Sequence, residues 1–542
     1  MSAEKPLSAA RIALWIVAVF AVLYLPWLAS EPAHIGLEST RALVARDMWR
    51  SGDWIVPTQN GAVYLAKPPV GYWMFALGSL PFGEVTVVST RLVSALSTLV
   101  LALAMALFMR RHVGASVGLW SGIALIGCAL FLERGLRAEI EAPLALFTGL
   151  ATLALFDTVW SERGRAWRVV WTGVSLGLAL LVKGPVAWLV FALALAGLAL
   201  ATPGRRKRAL VGGALALVVS IVVGLAWFVP LANRVGGEAS FAKFVEETFK
   251  RLHDPGATNR EAIWFYVPAL FAAFAPMTFL LPALVAKRSP ARRDNLRETS
   301  LFALLLGWAL GTTVFLSLSA GKETRYLMAV LPGWAMLAAW AWFREDRARW
   351  FDRYRAFVHT SVAIVTWTVP FAIVIAGWKM RPEALVWSIA AAAIVLAARA
   401  VAEVGLRRNA TALLATGILA GLFGLRLIWA KVPMANTRDD YPVEAMGAEI
   451  QARVPAGEPL VELAEYKSDI QFAADRRFRI AANRDQIAAM LAPADPSLPR
   501  AHYVLARTKD LPEGDERGLV EVAAWPFGSV KYRLLCAPRS PP

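Results

Sequence analysis

Apolar runs long enough to cross a hydrocarbon layer of ~30 Å dominate the chain. They recur at 11–29, 90–110, 115–132, 141–160, 209–230, 263–286, 300–318, 326–343, 356–378, 384–401 and 410–430. Two more, 168–182 and 184–201, are separated only by Lys183-Gly184-Pro185. This spacing predicts a mainly α, polytopic membrane protein of about thirteen transmembrane helices within residues 1–433. Two connections are longer than a turn requires. In 31–89, Glu38 to Arg50 sets Leu43, Val44 and Met48 at helical spacing, and Pro68 to Leu80 is aromatic and amphipathic. Both stretches predict helices lying at the membrane surface. The second long loop, 231–262, holds a helical stretch from Phe241 to Leu252.

Beyond Pro433 the pattern changes. Short β-like runs at 459–465, 472–481, 502–508, 519–525 and 530–536, with a helical stretch from Arg484 to Leu491, predict a small soluble α/β domain over 434–542. It is either a lid or stability module packed over the outer loops, or a domain with chemistry of its own.

Composition agrees with the hydropathy: 57% of residues are hydrophobic, and 22 Trp and 26 Phe exceed what a soluble core hides. Charge supplies the orientation, because cytoplasmic loops retain Lys and Arg. Arg110-Arg111, Arg163/Arg165/Arg168, Arg205-Arg206-Lys207-Arg208, Lys287-Arg288, the Arg344 to Arg355 cluster and Arg407-Arg408 fall in alternate connections. With the N-terminus cytoplasmic all of them lie inside, and an odd number of spans sets the tail outside. The first span serves as an uncleaved signal anchor. The formal charge of +17 does not point to nucleic acid: the tail has 14 Lys+Arg against 16 Asp+Glu, so the excess belongs to the membrane part. Cys128 and Cys536 build neither a disulfide framework nor a metal site.

Phosphate-loop, zinc-protease, nucleophile-elbow and dinucleotide-binding motifs are absent from the sequence, and no two aspartates stand two apart. The five histidines are scattered. What remains is charge at the outer ends of spans, where it is costly unless it meets water, a partner or a substrate. Lys67 stands out because Pro68-Pro69 stop a helix from running through it. It is either a headgroup-contacting cation or an anion site for a lipid phosphate. Lys183 at its Gly-Pro break has the same two readings, hinge or site.

These strings carry a resemblance. Glu38-x-x-Arg41, Ala45-Arg46-Asp47-Met48, Gly52-Asp53-Trp54 with Pro57, and Tyr64-Leu65-Ala66-Lys67-Pro68-Pro69 with Tyr72-Trp73 come first. Lys183-Gly184-Pro185, Glu247 to Leu252 before Trp264-Phe265-Tyr266, and Ser317 to Lys322 with Arg325-Tyr326 come next, in order. The sequence resembles the C superfamily of integral-membrane glycosyltransferases (GT-C). Within it, the similarity is to the bacterial branch related to protein mannosyltransferases and to the aminoarabinose transferase of lipid A. The resemblance implies an enzyme of the bacterial inner membrane that moves a sugar, with inversion, from a polyprenyl-phosphate donor such as undecaprenyl phosphate. Its acceptor is lipid A, another glycolipid, a polysaccharide or a protein on the periplasmic face. Such a transfer needs a carboxylate to take the acceptor's proton and cations to hold the departing phosphate. Glu38 is the leading base and Glu141 the second acidic group. Lys67, Arg251, Lys322 and Arg325 are the phosphate candidates; Arg41, Tyr64, Tyr72, Lys183, Glu247 and Tyr326 complete the set. No cofactor is required on this reading, although Glu38 and Glu141 sharing a divalent ion is the alternative to cations acting alone. In the ungapped register the chain has Leu37-Glu38 where many relatives have Asp-Glu, while a shift of one sets Glu38 in the aspartate's place; Glu141 stands where they have Asp. A lipid or small-molecule transporter and a non-catalytic relative are the other readings. Charges at the outer ends of spans, with no internal repeat, speak against transport.

Overall fold

The computed structural model describes residues 7–29, 37–237, 261–285, 295–344, 349–407, 411–432, 437, 439–463, 467–491, 501–514 and 518–537. Most of them are helical. Helix α1 spans Ala9–Tyr24, capped by Ser8, whose side chain accepts from the Arg11 N–H. Helix α2, Leu37–Ser51, forms where the sequence predicts a surface helix. A hairpin of β1 (Thr58–Gln59) and β2 (Ala62–Val63), not predicted, comes next, turning through Asn60 and Gly61 at positive φ. Helix α3 is Val70–Gly78, and α4, Val87–His112, opens on a Thr86–Ser89 capping box.

Each of the thirteen apolar runs is helical over most of its described residues. The run 115–132 is split into α5 (Ala115–Ile126) and α6 (Ala129–Arg134). Then come α7 (Glu141–Trp160), α8 (Arg165–Lys183), α9 (Val186–Ala201), and α10 (Arg206–Val235). The run 263–286 breaks into α11 (Tyr266–Phe274) and a 3₁₀ stretch, Met277–Val285, on either side of Pro276. Helices α12 (Leu296–Leu306) and α13 (Thr312–Leu318) join through a π turn, and a 3₁₀ turn, Thr324–Ala329, leads into α14 (Leu331–Phe343). Helices α15 (Arg349–Met380), α16 (Leu385–Arg407) and α17 (Thr411–Lys431) complete the membrane part. Among the described residues seven helices are long and apolar enough to cross a membrane, and four shorter apolar ones accompany them. The protein is a multi-pass membrane protein.

Small residues draw these helices together, since lipid gives apolar helices little reason to associate and close backbone contact must supply it. At the crossing of α9 and α12, a Cβ on Gly197 would meet the Ala303 carbonyl at 2.1 Å, and one on Gly307 would meet the Leu193 carbonyl at 2.3 Å.

The tail has helix α18 (Val443–Arg453) ahead of a five-stranded sheet ordered β4-β3-β5-β7-β6. The strands are β3 (Leu460–Leu463), β4 (Phe478–Ala481), β5 (Tyr503–Arg507), β6 (Val520–Phe527) and β7 (Val530–Cys536). Strand β3 runs parallel to β4 and β5, and the β7 pairings are antiparallel. Alternation decides the layers: Leu460, Leu505 and Leu534 face α18 and α19 (Ser468–Ala474), while Val461, Val504 and Leu535 face Ile487 of α20 (Arg484–Leu491). The β-like run 472–481 is only partly strand. Its first residues close α19, which Asp475 terminates in the left-handed region at φ 49°, and the extended segment is confined to Phe478–Ala481. Helix α18 was not anticipated either.

Helix α19 packs on α2. Ser468 Oγ lies 3.1 Å from Ser39 Oγ and 3.0 Å from Thr40 Oγ1. Arg46 Nη1 donates to the Phe472 carbonyl with its guanidinium 4.3 Å from that ring, and Arg50 grips Asp475 through both nitrogens at 2.8 and 3.0 Å. Asn60 of the hairpin bonds the Phe478 backbone and Gln471. The tail therefore rests on the first loop through many fixed contacts. The predicted helix 241–252 lies outside the described residues.

Candidate active site

The sequence candidates separate into one cluster and several outliers. Glu141, the first residue of α7, is 5% exposed. Its Oε1 receives Lys183 Nζ at 2.8 Å and lies 3.5 Å from Arg325 Nε. Lys183 is the last residue of α8 and is aimed by the two residues after it: Gly184 adopts φ 83°, which a side chain would resist, and Pro185 starts the next helix. Its ammonium also sits 4.5 Å from the Tyr326 ring centroid. Arg325 pairs with Glu323, and the Tyr326 hydroxyl donates to the same carboxylate. Lys183 and Arg325 thus both approach Glu141 Oε1.

Arg41 approaches from α2. It is buried, its Nη1 donates to the Tyr72 hydroxyl at 3.2 Å, and among the described residues no carboxylate comes within ion-pair distance of it. Burial opposes its charge, but the Tyr72 and Tyr64 oxygens and the Glu141 carboxylate outweigh burial and hold it above its ordinary value. Arg41 is thus a buried guanidinium whose one direct polar partner among the described residues is a neutral hydroxyl. Lys322 is a second buried cation. Its ammonium is held by the carbonyls of Ser319 and Glu261 at 2.8 and 3.0 Å. Lys67 is half-buried, with Nζ 2.7 Å from the Ala66 carbonyl.

Glu38 stands apart from this cluster. Its carboxylate is closed by Arg91, Nε to Oε1 at 2.8 Å and Nη2 to Oε2 at 2.9 Å, and Oε1 also accepts the Ala138 N–H at 2.8 Å. Arg91 continues to the Leu28 carbonyl at 3.2 Å. This buried bridge ties the end of α1, α2, α4 and the approach to α7 into one unit, and the two carboxylates, Glu38 and Glu141, answer to separate cations. Arg91 was missed in the sequence, yet an arginine inside an apolar helix was the available signal. Glu247 and Arg251 lie outside the described residues. Just before α7, Arg134 Nη1 meets Glu139 Oε1 at 2.7 Å.

The fold and site define a membrane-embedded helical protein with a buried nest of cations and carboxylates. Comparisons with known proteins agree. The family model described as dolichyl-phosphate-mannose-protein mannosyltransferase matches residues 66–232. The chain is similar to an undecaprenyl phosphate-α-4-amino-4-deoxy-L-arabinose arabinosyl transferase of Sodalis glossinidius, 30% identical over 388 residues, 69% of this chain and 67% of that protein. A Serratia proteamaculans protein of the same name is 28% identical, with 60% and 58% covered. The matched regions thus span only 58% to 67% of these two relatives. Among solved structures, the crystal structure of ArnT from Cupriavidus metallidurans bound to undecaprenyl phosphate superposes with a TM-score of 0.79 at 21% identity, covering 98% of this chain and 99% of that one. The archaeal oligosaccharyltransferase AglB from Archaeoglobus fulgidus superposes at 0.53 and 12%, covering 92% and 69%. The chain belongs to the undecaprenyl phosphate-aminoarabinose arabinosyl transferase family.

Proposed function

We propose that the protein transfers 4-amino-4-deoxy-L-arabinose from undecaprenyl phosphate to a hydroxyl of a lipid A-type acceptor on the periplasmic face of the inner membrane, with inversion. The observation that carries this reading is Arg41, a buried guanidinium lacking a carboxylate partner among the described residues, set beside the Glu141–Lys183–Arg325 nest. A departing phosphate supplies the missing charge, and charge that grows there in the transition state is stabilised by donors already in place.

On this reading Arg41, Tyr72 and Tyr64 line the donor phosphate, with Lys67, Arg251 and Lys322 bordering it. Glu141 Oε2 takes the proton of the acceptor hydroxyl, whose oxygen then attacks the anomeric carbon. The bond from that carbon to the phosphate oxygen breaks with its electron pair left on the phosphate. Lys183 and Arg325 hold the carboxylate in place and Tyr326 borders them. Glu38 then serves as the strut of α2 rather than as the base, because both its oxygens are occupied. About thirteen crossings, a cytoplasmic N-terminus and a periplasmic tail from residue 434 onward complete the proposal, consistent with the basic alternate loops.

The test is sugar transfer by purified enzyme in nanodiscs, from undecaprenyl phosphate-aminoarabinose to lipid A, read by mass spectrometry. Wild type forms product, whereas Glu141→Gln binds donor and forms none. A wild type that makes no aminoarabinosyl product, or a Glu141→Gln enzyme at the wild-type rate, sinks the proposal.

A further inference from the structure

The Ala45-Arg46-Asp47-Met48 string of α2 has no part in the proposed transfer, yet its arginine is 7% exposed. The Arg46 guanidinium is directed at the tail. Nη1 donates to the Phe472 carbonyl at 3.0 Å and lies 2.8 Å from Asp475 Oδ1, and the group sits 4.3 Å from the Phe472 ring centroid. Asp47 turns the same way: its Oδ2 accepts from Thr58 Oγ1 at 3.3 Å and lies 3.9 Å from Arg477 Nη2. A buried guanidinium is costly without partners. The carbonyl that Arg46 finds stands 426 positions along the chain, in another domain.

Helical spacing gives α2 two contact faces. Glu38, Arg41, Ala45 and Met48, at steps of three and four, meet the membrane part: Arg91 closes on Glu38, Arg41 donates to Tyr72, and Ala45 and Met48 cluster with Tyr72 and Phe75. Ser39, Leu43, Arg46 and Arg50 form the second stripe, which meets Ser468, Phe472 and Asp475 of the tail. Arg41 therefore lies between two anchors on opposite sides of the helix, the Arg91 bridge at its first turn and the Arg46 contact two turns later. Apolar packing is non-directional, so it sets how close α2 lies to its neighbours and leaves its roll to these polar anchors. Arg41 is sensitive to roll. A turn of about 10° carries a group roughly 6 Å from a helix axis by about 1 Å, and a misplacement of about 1 Å at a binding group costs up to about 100-fold.

We propose that Arg46 is a positioning residue for the donor site: by fastening α2 to the tail it holds the helix at the roll where Arg41 meets the donor phosphate. This rests on the transferase reading, through Arg41. The tail then acts on the donor without touching it, and needs no chemistry of its own to do so.

The experiment measures the dissociation constant of undecaprenyl phosphate by native mass spectrometry on the full-length protein, which reads folded molecules only. Arg46→Met keeps an apolar stem over Phe472 and leaves Asp475 to Arg50. It weakens binding about 10-fold, within the range for residues that modulate a site they do not touch. Arg46→Lys keeps a cation beside Asp475 and recovers most of the affinity. Ser39→Cys/Ser468→Cys, introduced into the Arg46→Met protein, refastens the same two elements, so that oxidation to the disulfide restores wild-type affinity and reduction removes it again. Wild-type affinity in Arg46→Met overturns the proposal. So does a loss that persists in the cross-linked protein, because Arg46 then acts otherwise than by holding α2 to the tail. Where Arg46→Met does not fold, Asp475→Asn tests the same contact from the other side, asparagine being tolerated at the φ of 49° there, and unchanged affinity in that variant overturns the proposal too. A wild type that binds no undecaprenyl phosphate fails the transferase reading instead.

Discussion

Replacing Arg41 with methionine should weaken phosphate binding and leave the apo protein no more stable than wild type. The guanidinium is buried, and its hydrogen bond to Tyr72 is its one direct polar contact among the described residues. In the ligand-free protein, its desolvation is outweighed by that bond, about 1 kcal/mol, together with attraction to the Tyr72 and Tyr64 oxygens and the Glu141 carboxylate. Methionine fills nearly the same apolar stem and removes both the buried charge and those attractions. The apo variant should therefore melt no higher than wild type. Binding falls as well. A hydrogen bond between charged groups contributes about 1.5–3 kcal/mol, so removing one such bond to a phosphate weakens binding by about 10- to 150-fold. Thermal shift with and without undecaprenyl phosphate, and native mass spectrometry for the dissociation constant, read both effects on one preparation. Undecaprenyl phosphate affinity equal to wild type would refute Arg41 as the anion site. An apo melting temperature above wild type would show that burial outweighs those attractions.

The geometry sets the outcome of three other perturbations. Glu38→Gln should destabilise the protein by about 3–5 kcal/mol, because it strands the buried Arg91, and any activity lost should track the folded fraction; a stable but inactive variant contradicts this. The double variant Ser39→Cys/Ser468→Cys should form a disulfide under mild oxidation, since the two hydroxyl oxygens are 3.1 Å apart, and mass spectrometry that finds only free thiols would mean the tail does not rest on α2. Glu462 in β3 is buried with Oε1 unpartnered among the described residues, and burial pushes its carboxyl up to about 8. Because its folded value exceeds the unfolded 4.5, the stability it allows is complete below about pH 4.5 and is lost as pH rises through 8, about 5 kcal/mol at most. Hydrogen exchange of Leu460–Leu463, corrected for intrinsic rate, should show protection falling over that window in wild type and not in Glu462→Gln; parallel profiles would rule this out.

The linear pattern was enough for the helices and for most strands. Apolar runs of membrane-spanning length have few alternatives in lipid, where the backbone must satisfy its own hydrogen bonds, so each run became helix. The β-like runs at 502–508, 519–525 and 530–536 fell on strands Tyr503–Arg507, Val520–Phe527 and Val530–Cys536. Lys183 was legible because Gly184-Pro185 must end a helix just after it. Pairing was not legible. Glu38 and Glu141 are both glutamates at the outer ends of helices, and nothing along the chain distinguishes the one that meets Arg91, 53 positions on, from the one that meets Lys183, 42 positions on. Which cation each carboxylate meets depends on long-range packing, since ion pairing is set by distance in space and by the water excluded around it. The same holds for Arg41, whose meaning comes from the absence of a carboxylate beside it among the described residues, a property of its surroundings rather than of its neighbours in sequence. The sequence by itself thus determined the membrane architecture and the residue types available for phosphate and proton chemistry. The tertiary structure decided which of those charges cancel one another and which are left for a substrate.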